Sequence, residues 1–244
     1  MTQNKLTIDP INDTTDKDFI THTLFNLPMR IAIVGKSQLS GKTSLLINLI
    51  AKDEGYKALF LPENIFIVSP SIHTEKFAKF IKYMKIPSSN LFITFNNLEL
   101  SELYKILKDE HESTENENKQ HKLIIFDDIG FTGKLSSSAQ KTDNIMDLLM
   151  CNGRHQLISV IVIAQKYTQL STCIRENLTG LIMFECSNQQ LESLEQEHNS
   201  ITTKKDFFIK FREATKEPHS FFTINYNRPP NLRYFKGLEE QILF

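Results

Sequence analysis

Gly35 and the triplet Gly41-Lys42-Thr43 frame five residues, Lys36, Ser37, Gln38, Leu39 and Ser40, inside the segment IAIVGKSQLSGKTSLL (Ile31 to Leu46). A short apolar run, Met29 to Val34, leads into that frame, and Thr43 to Ala51 (TSLLINLIA) leaves it with apolar residues at helical spacing. Strand, glycine-containing loop and helix start are the parts of a phosphate-binding P-loop. Backbone N–H groups from Gly35 to Ser44, together with the helix N-terminus, would surround phosphate oxygens where partial positive charge is already in place. Lys42 would reach the β- and γ-phosphates of ATP, and the Thr43 hydroxyl would hold Mg²⁺. The spacing is irregular, because the usual pattern puts four residues between the first glycine and Gly-Lys and this chain has five. Either Lys36 takes the first glycine position or the loop contains one extra residue. Gln38 and Leu39 also stand where small residues are usual.

Two further segments carry polar groups at the ends of apolar runs. Leu123 to Phe126 runs into Asp127-Asp128, which places carboxylates at the carboxyl end of a buried strand, where open α/β sheets bind ligands. Asp127 would hold Mg²⁺ through a water, and Asp128 would accept a proton from, or orient, the water that attacks the γ-phosphate. Ser159 to Ala164 (SVIVIA) ends at Gln165, an amide able to contact the γ-phosphate or the attacking water. Taken alone, each pattern is more often a polar cap on a turn; placed after the P-loop, the Asp-Asp pattern reads as catalytic. Arg154, in Asn152-Gly153-Arg154-His155, and Arg175, in Ile174-Arg175-Glu176-Asn177, are candidates for an arginine finger reaching the ATP of a neighbouring subunit. One of the two is expected in that role, and His155 is read as structural or solvated.

The elements that must position these groups follow from the periodicity. Strands are expected at Met29 to Val34, Ile65 to Ser69, Leu91 to Phe95, Leu123 to Phe126, Ser159 to Ala164 and Leu181 to Phe184. Helices are expected at Thr43 to Ala51, Leu98 to Leu107, Asn144 to Asn152, Gln189 to Glu197 and Lys204 to Thr215. Asp109 to Gln120 has no large apolar member and predicts a mobile surface loop. Phe131 to Asp143, rich in Ser, Thr, Gly and Lys, predicts a second loop. Phe221 to Tyr226 and Arg233 to Phe235, flanking Arg228-Pro229-Pro230, predict a hairpin. Continuous Ile/Val/Leu strands separated by helices indicate an α/β fold, a P-loop NTPase with a mostly parallel central sheet and helices on both faces. The expected organisation is an N-terminal arm over residues 1–26, an ATPase core over 27–187, and C-terminal helices with the hairpin over 188–244 in the same domain.

Composition narrows the setting. The chain has 244 residues, 40% hydrophobic and 23% charged, enough for one substantial core without disulfides or a structural metal. Lys+Arg at 28 against Asp+Glu at 29 gives net charge −1, which excludes a surface coated in nucleic-acid-binding charge while allowing a local basic rim. Cys151, Cys173 and Cys186 show no metal-type spacing and read as free thiols of a reducing compartment. The polar stretch Met1 to Lys17 is not a signal peptide, and no apolar run approaches the roughly 20 residues of a membrane span. A protein that is soluble and intracellular, or that resides inside something assembled within a cell, is the expectation.

The order MRIAIVGKSQLSGKTSLL, IFIVSPS, KLIIFDDIG, NGRHQLISVIVIAQKY and IRENLTGLIMFECS resembles the DNA-packaging ATPases of poxviruses, other large DNA viruses and virophages, within the FtsK/HerA superfamily of ring translocases. The resemblance covers Leu27 to Ser187, and more loosely the Phe/Tyr-rich C-terminal hairpin. The Asp-Asp-Ile-Gly motif and Gly-Arg-His followed by a strand and Gln are its specific parts. The irregular phosphate loop departs from the pattern and bears on nucleotide affinity. The resemblance implies an ATP-hydrolysing motor that drives double-stranded viral DNA into a preformed capsid, as a homo-oligomeric ring with ATP at subunit interfaces and capsid proteins as partners. It implies a setting in the virion or the viral factory in the host cytoplasm. It also implies roles for Lys42, Thr43, Asp127, Asp128 and Gln165 that agree with the residue reading, and it favours Arg154 over Arg175 for the contact in trans. Residues 130–141, with Lys134 and Lys141, are a candidate pore loop, equally readable as a plain surface loop. Another translocase or helicase of the same superfamily is an alternative, and so is a non-hydrolysing nucleotide-binding assembly subunit. A nucleotide kinase is disfavoured, since the stretch before Lys204 lacks the arginines of a lid.

Overall fold

Strands that are apolar at every position are stable only when both faces are covered, and that requirement organises the molecule. The structure, a computed structural model, describes residues 18–37, 40–128 and 144–244. Its strands are β1 (Arg30–Val34), β2 (Ile65–Val68), β3 (Leu91–Phe92), β4 (Lys122–Asp127), β5 (Ile158–Ala164), β6 (Gly180–Phe184), β7 (Phe221–Asn225), β8 (Tyr234–Lys236) and β9 (Glu240–Gln241). They form one sheet in the order β3-β2-β4-β5-β1-β6-β7-β8-β9. From β3 to β6 every pairing is parallel, and β7, β8 and β9 continue the sheet antiparallel from β6.

Alternate residues of the buried strands feed two cores. Ile31, Ile33, Ile65, Ile67, Leu123 and Ile125 pack under α1 (Lys42–Ala51) and α2 (Glu75–Met84) through Leu46, Leu49, Ile50, Phe77 and Phe80. Ala32, Val34, Phe66, Val68, Ile124 and Phe126 face the opposite way. They are covered by α3 (Asn97–Ser113), α4 (Ile145–Asn152), α5 (Thr172–Glu176), α6 (Asn188–His198) and α7 (Lys204–Ala214). The architecture is a mixed α/β layer structure with a mostly parallel sheet, and the expected hairpin is present as β7 and β8.

Several elements differ from the sequence expectation. Residues 109–120 are not a loop throughout: α3 runs on to Ser113, and a 3₁₀ turn follows at Asn116–Asn118. Leu100, Tyr104, Leu107 and His111 form its buried stripe, so a histidine continues a face that apolar counting alone ends at Leu107. Glu110 on the same turn reaches the ammonium of Lys122, 3.5 Å away, whose side chain is 2% exposed. The strand expected at 91–95 stops at Phe92, because β2 is its sole sheet neighbour and turns away there, Ser69 N–H closing on Phe92 O at 2.9 Å. Helices α2 and α5 and strand β9 are additions to the elements read from the sequence, although Phe77, Phe80 and Met84 mark the inner face of α2. The expected loop at 131–143 and the candidate pore loop at 130–141 lie outside the described residues.

Behind the end of β5 a polar network ties the helical layer together. The buried Tyr167 hydroxyl donates to Glu197 Oε2 (2.5 Å) and meets His198 Nε2 (2.6 Å), while Arg175 Nε donates to Glu197 Oε2 (2.9 Å). Burial pushes the His198 imidazole down to about 4, so it is neutral at pH 7. Tyr167→Phe removes the hydroxyl and leaves these partners desolvated. The expected cost is about 1–3 kcal/mol, read as a lower melting temperature; unchanged thermal stability would contradict the network's structural weight.

Candidate nucleotide-binding site

Parallel register sets the level of the site. Val34 pairs with Ala164 and Asp127 with Ile163, so Gly35, Asp128 and Gln165 emerge from β1, β4 and β5 at one end of the sheet. β5 lies between the other two, which puts Gln165 between the glycine loop and the acids. Gly35 is held against the sheet by its N–H to Ala164 O (3.1 Å), and a Cβ at Gly35 would stand 2.9 Å from Phe184 Cβ at the end of β6. Only glycine lets the loop leave at this angle.

The loop then turns into α1 at Gly41, whose φ of 93° is left-handed and open to glycine. The N-cap residue, Gly41, has no side chain with which to cap this helix. Its first internal bond is Leu45 N–H to Gly41 O at 2.8 Å, which leaves the amides of Lys42, Thr43 and Ser44 directed out of the helix end. Uncapped amides and the helix dipole together make an anion site. The Lys42 ammonium arches over the loop and donates to Gly35 O (2.7 Å), Lys36 O (2.6 Å) and Ser40 Oγ (3.2 Å). Ser40 Oγ in turn donates to Lys36 O at 2.9 Å. The Lys36 side chain points to solvent beside Glu185, 3.6 Å away. Gln38 and Leu39 lie outside the described residues.

A cleft of about 940 Å³ opens over this end of the sheet. Ser37, Ser40, Gly41, Lys42, Thr43 and Ser44 line one side, with Asp127, Asp128 and Gln165 facing them. Asp127 is 5% exposed and accepts from Ser69 Oγ at 3.0 Å. Burial pushes its carboxyl above the ordinary carboxylate range, with Asp128 adding to the rise, against the Ser69 hydrogen bond and the Lys42 charge. Burial likewise lowers Lys42, with Asp127 and Asp128 opposing. Asp128 is exposed and sits at φ 48°, a left-handed conformation that costs a non-glycine residue energy and recurs at functional sites. Its Oδ1 accepts from Gln165 Nε2 at 2.8 Å; a carboxylate only accepts, which fixes the amide's orientation.

Neither arginine reaches this cleft within the chain. Arg154 lies in the 3₁₀ turn Gly153–Gln156 that precedes β5, at the opposite end of the strand from Gln165, and is exposed. Arg175 is bound to Glu197, to Leu170 O (2.6 Å) and over the Tyr167 ring. The cleft also takes residues that the motifs do not announce. Ser71, Thr74 and Lys76 enter from the start of α2, and Lys76 Nζ donates to Ser44 Oγ at 3.3 Å. His219 enters from the turn before β7, at φ 64°, with Nδ1 3.4 Å from where a Gly41 Cβ would stand. Only the amphipathic pattern of α2 was available in the sequence as a signal for the first group, and none points to His219. Of the cysteines, Cys151 and Cys173 are free thiols with sulfurs 3.5 Å apart, and Cys186 is buried.

A carboxyl whose pKa is raised by folding makes the ionised form a cost to the folded state. That cost is full above the folded pKa and vanishes below the unfolded one. Asp127→Asn is therefore expected to raise the melting temperature at pH 7–8, by about 2–4 °C for each kcal/mol relieved. The gain should shrink as the pH falls into the range where the native carboxyl is protonated. A variant less stable than the native chain at neutral pH would contradict this electrostatic picture.

Against known proteins, a sequence model of the Poxvirus A32 protein family matches residues 16–220. The DNA packaging protein OPG160 of Variola virus is 28% identical over 183 residues, 73% of this chain and 61% of the relative. The chain thus spans about three-fifths of the length of the curated relatives it matches. Among solved structures, the genome packaging NTPase B204 from Sulfolobus turreted icosahedral virus 2, in complex with AMP, superposes with TM-score 0.54. The match is 18% identical and covers 82% of this chain and 94% of B204. The pCW3 conjugation coupling protein TcpA, with ATPγS, gives 0.53 at 12% identity, over 89% of this chain and 60% of TcpA. These likenesses establish a fold shared with P-loop NTPases. With the family match running through most of its length, from ahead of the phosphate loop to the turn before β7, this chain belongs to the Poxvirus A32 protein family.

Proposed function

We propose that this chain is a Mg²⁺-dependent ATPase that drives double-stranded viral DNA into a preformed capsid. The reading rests on one juxtaposition: the Gln165–Asp128 pair stands across the cleft from the uncapped start of α1 and Lys42. An anion-binding loop alone has no need of an acid and an amide held together opposite it. The printed names of the relatives, DNA packaging protein and genome packaging NTPase, supply the work that hydrolysis would drive.

The roles follow from position. Amides of the loop and of Lys42 to Ser44 bind the phosphates, and the Lys42 ammonium exchanges its carbonyl contacts for phosphate oxygens. The Thr43 hydroxyl and the Asp127 carboxylate line the same cleft. They are hard oxygen donors of the kind Mg²⁺ takes, and the ion supplies charge neutralisation at the phosphates. Asp128, exposed and anchored by Gln165, orients the attacking water and takes its proton. Gln165 can leave Asp128 for a γ-phosphate oxygen, which links the state of the nucleotide to the turn after β5.

In a homo-oligomeric ring with ATP at the subunit interfaces, Arg154 is the contact to a neighbour's ATP. It is exposed, and its one side-chain partner among the described residues is His155 at 3.4 Å, whereas Arg175 is committed to Glu197 and Leu170. DNA is held without sequence reading through phosphate contacts, with Lys134 and Lys141 as candidates, and capsid proteins complete the assembly in the viral factory.

Asp128→Asn tests the enzyme reading cleanly, since Asn tolerates the left-handed backbone as Asp does. The variant should keep its affinity for a fluorescent ATP analogue while turnover falls at least ~100-fold, the scale of a lost general base. Undiminished hydrolysis, or binding lost together with turnover, would count against Asp128 in this role.

A further inference from the structure

Ser69 is the last residue before Pro70 at the end of β2, and it is fully buried. Register explains its neighbour. Ile67 pairs with Ile125 and Val68 with Phe126, so Ser69 comes level with Asp127 on the adjacent parallel strand, side chains on the same face. The two are linked at 3.0 Å, Ser69 Oγ donating to Asp127 Oδ2.

A second bond holds the hydroxyl in place. A carboxylate only accepts, so the single hydroxyl proton goes to Asp127, while Ser71 N–H donates to the Ser69 Oγ lone pairs at 3.0 Å and fixes the hydroxyl from its other side. Ser69 is itself pinned by its N–H to Phe92 O at 2.9 Å. The terminal torsion of an aspartate is broad and two-fold, and packing alone sets it poorly; a fixed donor on one oxygen sets it well. The same serine holds Ser71, which lines the cleft opposite the phosphate loop.

We propose that Ser69 is a positioning residue for Asp127: it clamps Oδ2 so that the carboxylate presents a fixed geometry to a Mg²⁺–nucleotide complex, and it ties that geometry to the loop entering α2. The inference rests on the NTPase reading above. Outer-shell partners of this kind typically change metal affinity or activity by about 10–100-fold when removed.

The test compares the native chain, Ser69→Ala and Ser69→Thr by binding of a fluorescent ATP analogue in EDTA and across a Mg²⁺ titration, with steady-state ATP hydrolysis alongside. Ser69→Ala opens no large cavity and keeps the strand, so it should fold. It is expected to bind the analogue as the native chain does in EDTA, to need about 10-fold more Mg²⁺ for half-maximal effect, and to lose kcat by about 10-fold with little change in KM. Ser69→Thr, which retains the hydroxyl, should recover the native Mg²⁺ response. Two results would overturn the role of Ser69. One is a native Mg²⁺ titration and kcat in Ser69→Ala; the other is an affinity loss equal with and without Mg²⁺, the mark of a merely structural defect. A native chain that neither binds nor hydrolyses ATP would instead defeat the NTPase reading, and the assignment of Ser69 with it.

Discussion

The constraint on which the rest depends is the parallel ladder that brings the carboxyl ends of β1, β5 and β4 to one level. Val34 opposite Ala164 and Asp127 opposite Ile163 mean that the chain leaves all three strands within one residue of the same height. A slip of one residue in any of them would turn its side chains to the other face and move its functional group out of the cleft. Register is held because both faces are buried: Ile31 and Ile33 serve one core, Ala32 and Val34 the other. The hydrophobic layers thereby specify the relative positions of a lysine, two aspartates and a glutamine far apart in sequence.

That placement is opposed by solvation. Burial raises the Asp127 carboxyl and lowers the Lys42 ammonium, so each charged form is less favoured than it would be in water, and each relies on the other, on Ser69 and on the loop carbonyls. Asp128 adds a left-handed backbone, and Gly35 fits only because it has no Cβ against Phe184. The left-handed backbone of Asp128 and the desolvated Asp127 and Lys42 at this end of the sheet suit a site whose charges are completed by an anionic ligand.

Much of this was legible in the sequence because the information is local. An apolar run ending in Gly, Asp-Asp or Gln marks a strand and the group at its end, and Gly-Lys-Thr before a helical stripe marks the phosphate loop. The legible part stops where tertiary contacts decide. His111 continues the buried face of α3 through a stretch that composition reads as loop, and Glu110 is there to meet the buried Lys122. Ser71, Lys76 and His219 reach the cleft from elements distant in sequence, and His219 occupies a positive-φ turn with no glycine to announce it. Arg154 and Arg175 are both candidates by residue type, with the Gly-Arg-His resemblance favouring Arg154, but that Arg175 is held by Glu197, Leu170 O and the Tyr167 ring comes from tertiary contacts that no local pattern announces.

The most direct measurement of the central claim is steady-state ATP hydrolysis by the purified chain, with and without long double-stranded DNA, beside Lys42→Ala. The account predicts Mg²⁺-dependent hydrolysis that rises when DNA is added and is abolished in the variant. Folded, assembled protein that shows no hydrolysis under any of these conditions, or hydrolysis that survives Lys42→Ala, would contradict it.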